Sequence, residues 1–141
     1  MKTNPFTDPT STIEARMQAL ERGDFGLIYD SYHPDAPFLA HFTSRSEYLL
    51  FAAEQLTGTA LSDWGIADQR ILSDGQVEVL LWMRVGVDGN TQLLFELALL
   101  IREGEQWCYH SAQKLTRADY SGPVGRIAFS HFDQATEKIR F

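Results

Sequence analysis

At 141 residues and 44% hydrophobic side chains, the chain suffices for one domain that buries roughly 70% of the surface its unfolded form exposes, and a second domain is not expected. The net charge of −7, with 8 Lys/Arg against 16 Asp/Glu in residues 1–114, would repel a phosphate backbone, and no basic cluster offsets it, so nucleic acid is excluded as a partner. No run reaches the ~18 apolar residues of a membrane helix, the polar start Met1-Lys2-Thr3-Asn4-Pro5 lacks the apolar core of a secretory signal, and the lone Cys108 forms no intrachain disulfide; the expected setting is cytoplasmic, with no membrane contact.

Residues 1–10, with Pro5 and Pro9, read as an extended lead-in. Ser11 to Glu14 matches a capping box, and Ile13, Met17 and Leu20 follow on one helical face, so a first helix is expected to run from there to Arg22. Gly23 suits a left-handed helix end, and Asp24 follows where its carboxylate caps a new helix. In that second helix, about Phe25 to Tyr32, the aromatic and aliphatic residues Phe25, Ile28, Tyr29 and Tyr32 gather on one face, and Pro34 forces His33 out of helical geometry. Ser44-Arg45-Ser46-Glu47 is a second capping box. It opens a third helix whose apolar side is Tyr48, Leu49, Phe51, Ala52 and Leu56, ending by Gly58.

From Asp63 the period becomes that of strands, punctuated by Asp74-Gly75, Asp88-Gly89 and Glu103-Gly104-Glu105, which predicts four antiparallel strands joined by three hairpins. The fold class is therefore α+β: three N-terminal helices packed on a curved four-stranded antiparallel sheet shaped as a cone, with a core over about 11–114 and a C-terminal docking tail over 115–141. That tail links through Ser121-Gly122-Pro123-Val124-Gly125 to Ile127, Phe129, Phe132, Ile139 and Phe141, too apolar to remain in water.

The run from Leu20 to Phe38, with its Gly-Asp joint, aromatic helix and Tyr32-His33-Pro34 end, resembles the YchJ-type domain of the nuclear transport factor 2-like (SnoaL-like) superfamily. Gln76 to Val85, Phe95-Glu96 with Leu100 and Arg102, and Trp107-Cys108-Tyr109 look like the successive sheet strands of that family. The resemblance implies a cystatin-like cone with an internal cavity and no transferable activity. The Cys-rich zinc segments of many members are missing, so zinc is not carried over.

Turn geometry assigns the strand faces. A two-residue turn at Asp88-Gly89 sets Glu96 opposite Leu81, the same rule at Asp74-Gly75 sets Asp68 opposite Leu81 from the other side, and a Gly104-Glu105 turn sets Tyr109 opposite Leu100 and Ser111 opposite Ala98. One face then carries Trp64, Ile66, Asp68, Arg70, Leu81, Met83, Glu96, Trp107 and Tyr109, an apolar lining with few ionisable groups such as small-molecule pockets have. Glu96 either serves as a general acid or base tuned by burial, or finds a donor such as Arg70, a tyrosine hydroxyl or His33 in a structural network. Asp68 is a second carboxylate candidate about 10 Å away by strand spacing. His33 is a proton shuttle or merely a helix terminator. Tyr29 and Tyr32 are oxyanion donors or core aromatics.

Cys108 and His110 sit on the other face with no group to orient the imidazole, so a thiolate pair is not expected. The four histidines, 33, 41, 110 and 131, show no ligating spacing, and no metal or cofactor is expected. The other face carries Leu80, Trp82, Leu93, Phe95, Leu97, Leu99 and Ile101, too much apolar surface to stay bare; either the tail or a second copy in a homodimer should cover it. The function these features suggest is binding of a small apolar or aromatic molecule, with Glu96, Asp68 and His33 as catalytic candidates and Tyr29, Tyr32, Trp64, Arg70, Trp107 and Tyr109 as ligand-binding ones. Chemistry at such a site would be cofactor-independent isomerisation or hydrolysis; the alternative is a non-catalytic interaction or dimerisation module with a filled cavity.

Overall fold

The computed structural model describes residues 4–87 and 89–133. Helix α1, Pro9–Arg22, begins earlier than the Ser11 box suggested, because Asp8 is its N-cap: the Asp8 carboxylate accepts from the Ser11 N–H at 2.9 Å and Pro9 occupies the first turn, where its missing N–H costs nothing. Gly23 closes α1 at φ +74°, with the Asp24 N–H returning to the Ala19 carbonyl at 2.8 Å. Asp24 then caps α2, Phe25–Asp30, by accepting from the Leu27 N–H. A 3-10 turn over Pro37–His41 leads to α3, Arg45–Gln55, where Ser44 accepts from the Glu47 N–H at 3.2 Å and the Glu47 carboxylate takes the Thr43 N–H in return.

The strands are β1 (Thr59–Ser73), β2 (Gln76–Val87), β3 (Asn90–Glu103) and β4 (Gln106–Thr116), in the spatial order β1-β2-β3-β4 and antiparallel throughout. Gly75, Gly89 and Gly104 take positive φ at the three turns; Asp88, its partner in the second turn, lies outside the described residues. Val87 pairs with Asn90 and Glu96 with Leu81, as the turn rule requires.

The expectation of a cone needs correcting. The sheet is an open meander whose first and last strands remain separate edges rather than a sheet curved and closed upon itself. Both of its faces are satisfied without closure. On the inner face Ile13 and Met17 of α1 pack on Val79, Leu81, Leu100 and Ala112, while the outer face is covered by the chain itself.

That cover is the C-terminal segment. Tyr120, Ile127 and Phe132 bury Leu80, Phe95, Leu97 and Leu115, and the last helix, α4 (Phe129–Asp133), is tied down by Arg70, whose guanidinium lies 2.7 Å from Glu78, 3.4 Å from Asp133 and 4.4 Å from the centre of the Phe129 ring. Each of these buried apolar side chains is worth about 1.5–3 kcal/mol. Ile139 and Phe141, also expected to dock, lie outside the described residues.

Bulges correct the face assignment. Counted back from the Asp74-Gly75 turn, an extra residue at Leu72 makes Arg70 pair with Glu78 and Asp68 with Leu80 rather than Leu81, so both turn to the outer face, and a further extra residue at Ala67 returns Ile66 and Trp64 to the inner one. At His110 another extra residue sets Ser111 opposite Leu99 and brings Ala112 inside. A slip of one position flips every residue that follows it on the strand.

Candidate functional site

A pocket of about 340 Å³ lies between the inner sheet face and the three N-terminal helices. Its walls are mainly apolar, with Met17 and Leu20 from α1, Leu81 and Met83 from β2, and Phe51 of α3, 37% exposed, at the rim. Its polar groups are Arg16, Tyr32, Tyr48, Glu96, Tyr109 and Lys114.

Arg16 is carried inside by the spacing of α1, three residues after Ile13 and four before Leu20. Its Nη1 donates to Ser31 Oγ at 2.5 Å and to the Ile28 carbonyl at 3.4 Å, and its guanidinium carbon lies over the Tyr109 and Tyr32 rings, 3.6 and 4.7 Å from their centres. Burial works against the Arg16 charge, but Tyr32, Tyr109 and Glu96 more than compensate and raise its pKa. Tyr32 is placed by the chain just after α2. α2 stops at Asp30, short of the expected Tyr32, and Ser31 to His33 then run alongside β4, with the Tyr109 N–H bonded to the Ser31 carbonyl at 2.8 Å and the His33 N–H to the Tyr109 carbonyl at 2.9 Å. Tyr32 thus meets Tyr109 edge-on at 5.6 Å and Tyr48 at 6.1 Å.

Glu96 stands in the middle of β3, only 6% exposed, with Lys114 directly across on β4 and its Nζ 3.9 Å from the carboxylate. Burial, followed by the Glu96 charge, holds the Tyr109 phenol well above its ordinary pKa. Burial, followed by the neighbouring Tyr32, pushes Tyr48 up to about 12. Both phenols therefore stay protonated across the physiological range.

Of the nine site residues named from sequence, Glu96, Tyr32 and Tyr109 meet at the pocket. Tyr29 packs on Tyr48 at 5.2 Å within the cluster between the helices. Trp64 bonds Glu21 through its indole N–H at 2.6 Å. Trp107 packs on the inner core, and its backbone N–H and carbonyl join Phe6 and Thr12. Asp68 is exposed, and Arg70 serves the C-terminal cover. His33 is buried elsewhere: its Nδ1 accepts from the Asp35 N–H at 3.0 Å, which leaves the proton on Nε2, 3.2 Å from Glu103. The Cys108 thiol is raised by burial and then by Glu103, which keeps it protonated. No group of three or more His, Cys, Asp or Glu side chains suited to a metal ion occurs among the described residues.

Arg16, Tyr48 and Lys114 were not among the site residues named from sequence, Tyr48 being read only as part of the apolar side of the third helix. Arg16 was visible in principle as a cation on the apolar stripe of the first helix. Lys114 was hidden by the bulge at His110, without which the turn register would not place it opposite Glu96.

No family model matches the chain, and no curated protein matches it significantly. Among solved structures it is similar to a domain of unknown function with a cystatin-like fold from Nostoc punctiforme PCC 73102, at 16% identity and a TM-score of 0.57, over 89% of this chain and 83% of that one. At that identity the likeness shows the fold alone. It replaces the YchJ-type, nuclear transport factor 2-like and SnoaL-like identification. The residues that suggested that family, Gly23-Asp24 and His33-Pro34, do local work as a helix cap and a helix stop, which unrelated helix-to-strand junctions also need. No helix among the described residues is long and apolar enough to cross a membrane.

Proposed function

We propose that this domain is a non-catalytic binding module whose pocket takes a small, largely apolar molecule with one polar end. The observation that carries the reading is what surrounds Glu96. Its carboxylate faces Lys114 across the strands, while the other two acid–base candidates stand apart, Asp68 exposed on the outer face and His33 engaged with Glu103. A general base must reach the substrate proton with a lone pair, and the Glu96 carboxylate is engaged by Lys114 instead. The pocket supplies a shaped apolar wall and an anchored polar floor, which suffices for binding.

Titrating the isotope-labelled protein with 3-phenylpropionamide and, separately, with 3-phenylpropionate tests this, either compound sufficing. Saturable amide shifts confined to Met17, Met83, Glu96 and Tyr109 are expected; signals that neither compound moves at millimolar concentration contradict the reading.

A second reading, a protein-interaction or homodimerisation module, is favoured by the β1 edge, where Ile71 and Leu72 are 79% and 48% exposed. The outer sheet face is taken by the C-terminal segment, so β1 is the surface this reading would use. Ile71→Lys should then convert a dimer to a monomer by light scattering, whereas a wild-type protein that is monomeric at 100 μM or above removes the homodimer.

A further inference from the structure

The charges and donors at the pocket floor give the polar end of its ligand a definite chemistry, an inference that rests on the binding role proposed above. We infer that the pocket selects an apolar carboxylate over its uncharged analogues. Among the titratable side chains lining the cavity are two basic groups, Arg16 and Lys114, and one carboxylate, Glu96, so basic groups outnumber acidic ones in a site walled by low-dielectric side chains.

The Arg16 fork is also only partly engaged. A guanidinium has five N–H donors. Ser31 Oγ and the Ile28 carbonyl take Nη1, and the Tyr32 phenol takes a further donor. Arg16 is a partly exposed residue that lines the cavity, so a group entering there meets its guanidinium. A planar fork matches a carboxylate, which can accept from two of its donors at once. The guanidinium lies over the Tyr109 and Tyr32 rings, and Lys114, across from Glu96 on the neighbouring strand, adds a second basic group to the same lining. The Glu96 carboxylate opposes the ligand's charge. It is paired with Lys114 at 3.9 Å.

The test compares 3-phenylpropionate with 3-phenylpropionamide, which share shape and apolar area, by isothermal titration in low salt. Charge-assisted hydrogen bonds predict that the carboxylate binds about ten- to a hundredfold tighter. Lys114→Met should cut that ratio several-fold, and Glu96→Gln should raise it, because removing a like charge helps an anion. These opposite signs separate electrostatic selection from general loosening of the pocket. Equal affinity for acid and amide overturns the inference while leaving the binding role intact. If neither compound binds at millimolar concentration, both fall. A carboxylate preference that Lys114→Met and Glu96→Gln leave unchanged places the anion elsewhere on the molecule and overturns the inference as well.

Discussion

Tyr48 and Tyr109 reach the pocket from different elements, yet the same physics governs both: each phenol is withdrawn from water and faces groups that disfavour its ionised form. Because their folded pKa values lie above the unfolded value near 10, both favour folding fully below that pH and withdraw that support as the pH rises toward 12. Absorbance at 295 nm should therefore show two of the five tyrosines ionising only at strongly alkaline pH, together with a loss of thermal stability that begins above pH 10. Five phenols titrating together near pH 10 in the folded protein would contradict the placement. At this scale the sequence was legible where one residue sat within a regular period: Glu96 was found because two turns agreed on its register. Arg16 was passed over because a charge on a helix is ordinarily read as its solvated side, although its spacing from Ile13 and Leu20 said otherwise.

Capping and turn chemistry place the helices and hairpins, because Gly23, Ser44, Gly75 and Gly104 each act on their immediate neighbours. Bulges are different. The extra residues at Leu72 and His110 leave no local mark, since a leucine or a histidine fits a regular strand equally well, and what selects the bulge is the packing of distant groups. Its consequence is large: it hands Arg70 to the outer face, where it joins the buried Glu78 to Asp133 of α4. Replacing Arg70 with methionine should cost about 2–3 kcal/mol, short of the 3–5 of a wholly enclosed pair because the guanidinium remains partly wet. Hydrogen exchange should quicken through 124–133 while α1 keeps its protection. Uniform destabilisation with unchanged exchange in α4 would show that Arg70 does not clamp the segment. The two bulges also account for the limits of the sequence reading at this scale, since Glu96 and Tyr109 precede any shift in their hairpins, whereas Asp68, Arg70 and Lys114 follow one.

For the molecule as a whole, the sheet serves two compartments: an inner face with helices and a pocket, and an outer face sealed by the chain's own C-terminal segment. The need for an outer cover followed from the alternation of Phe95, Leu97 and Leu99, and docking of Tyr120, Ile127 and Phe132 meets it without a second subunit on that face. Removing residues 117–141 would bare Leu80, Phe95, Leu97 and Leu115, and aggregation on expression is the expected result; a truncated protein that stays monomeric and equally stable by scanning calorimetry would contradict the cover. What separates a ligand-binding domain from a packed interaction module is whether the inner cavity is empty. Xenon enters apolar space that side chains leave unfilled, so methyl resonances of Met17, Met83 and Leu81, which wall the pocket, should shift saturably under xenon pressure while Leu97 and Leu115 on the sealed outer face stay still. Unmoved pocket methyls would mean that the cavity is filled by its own side chains, and the binding function would have to be given up.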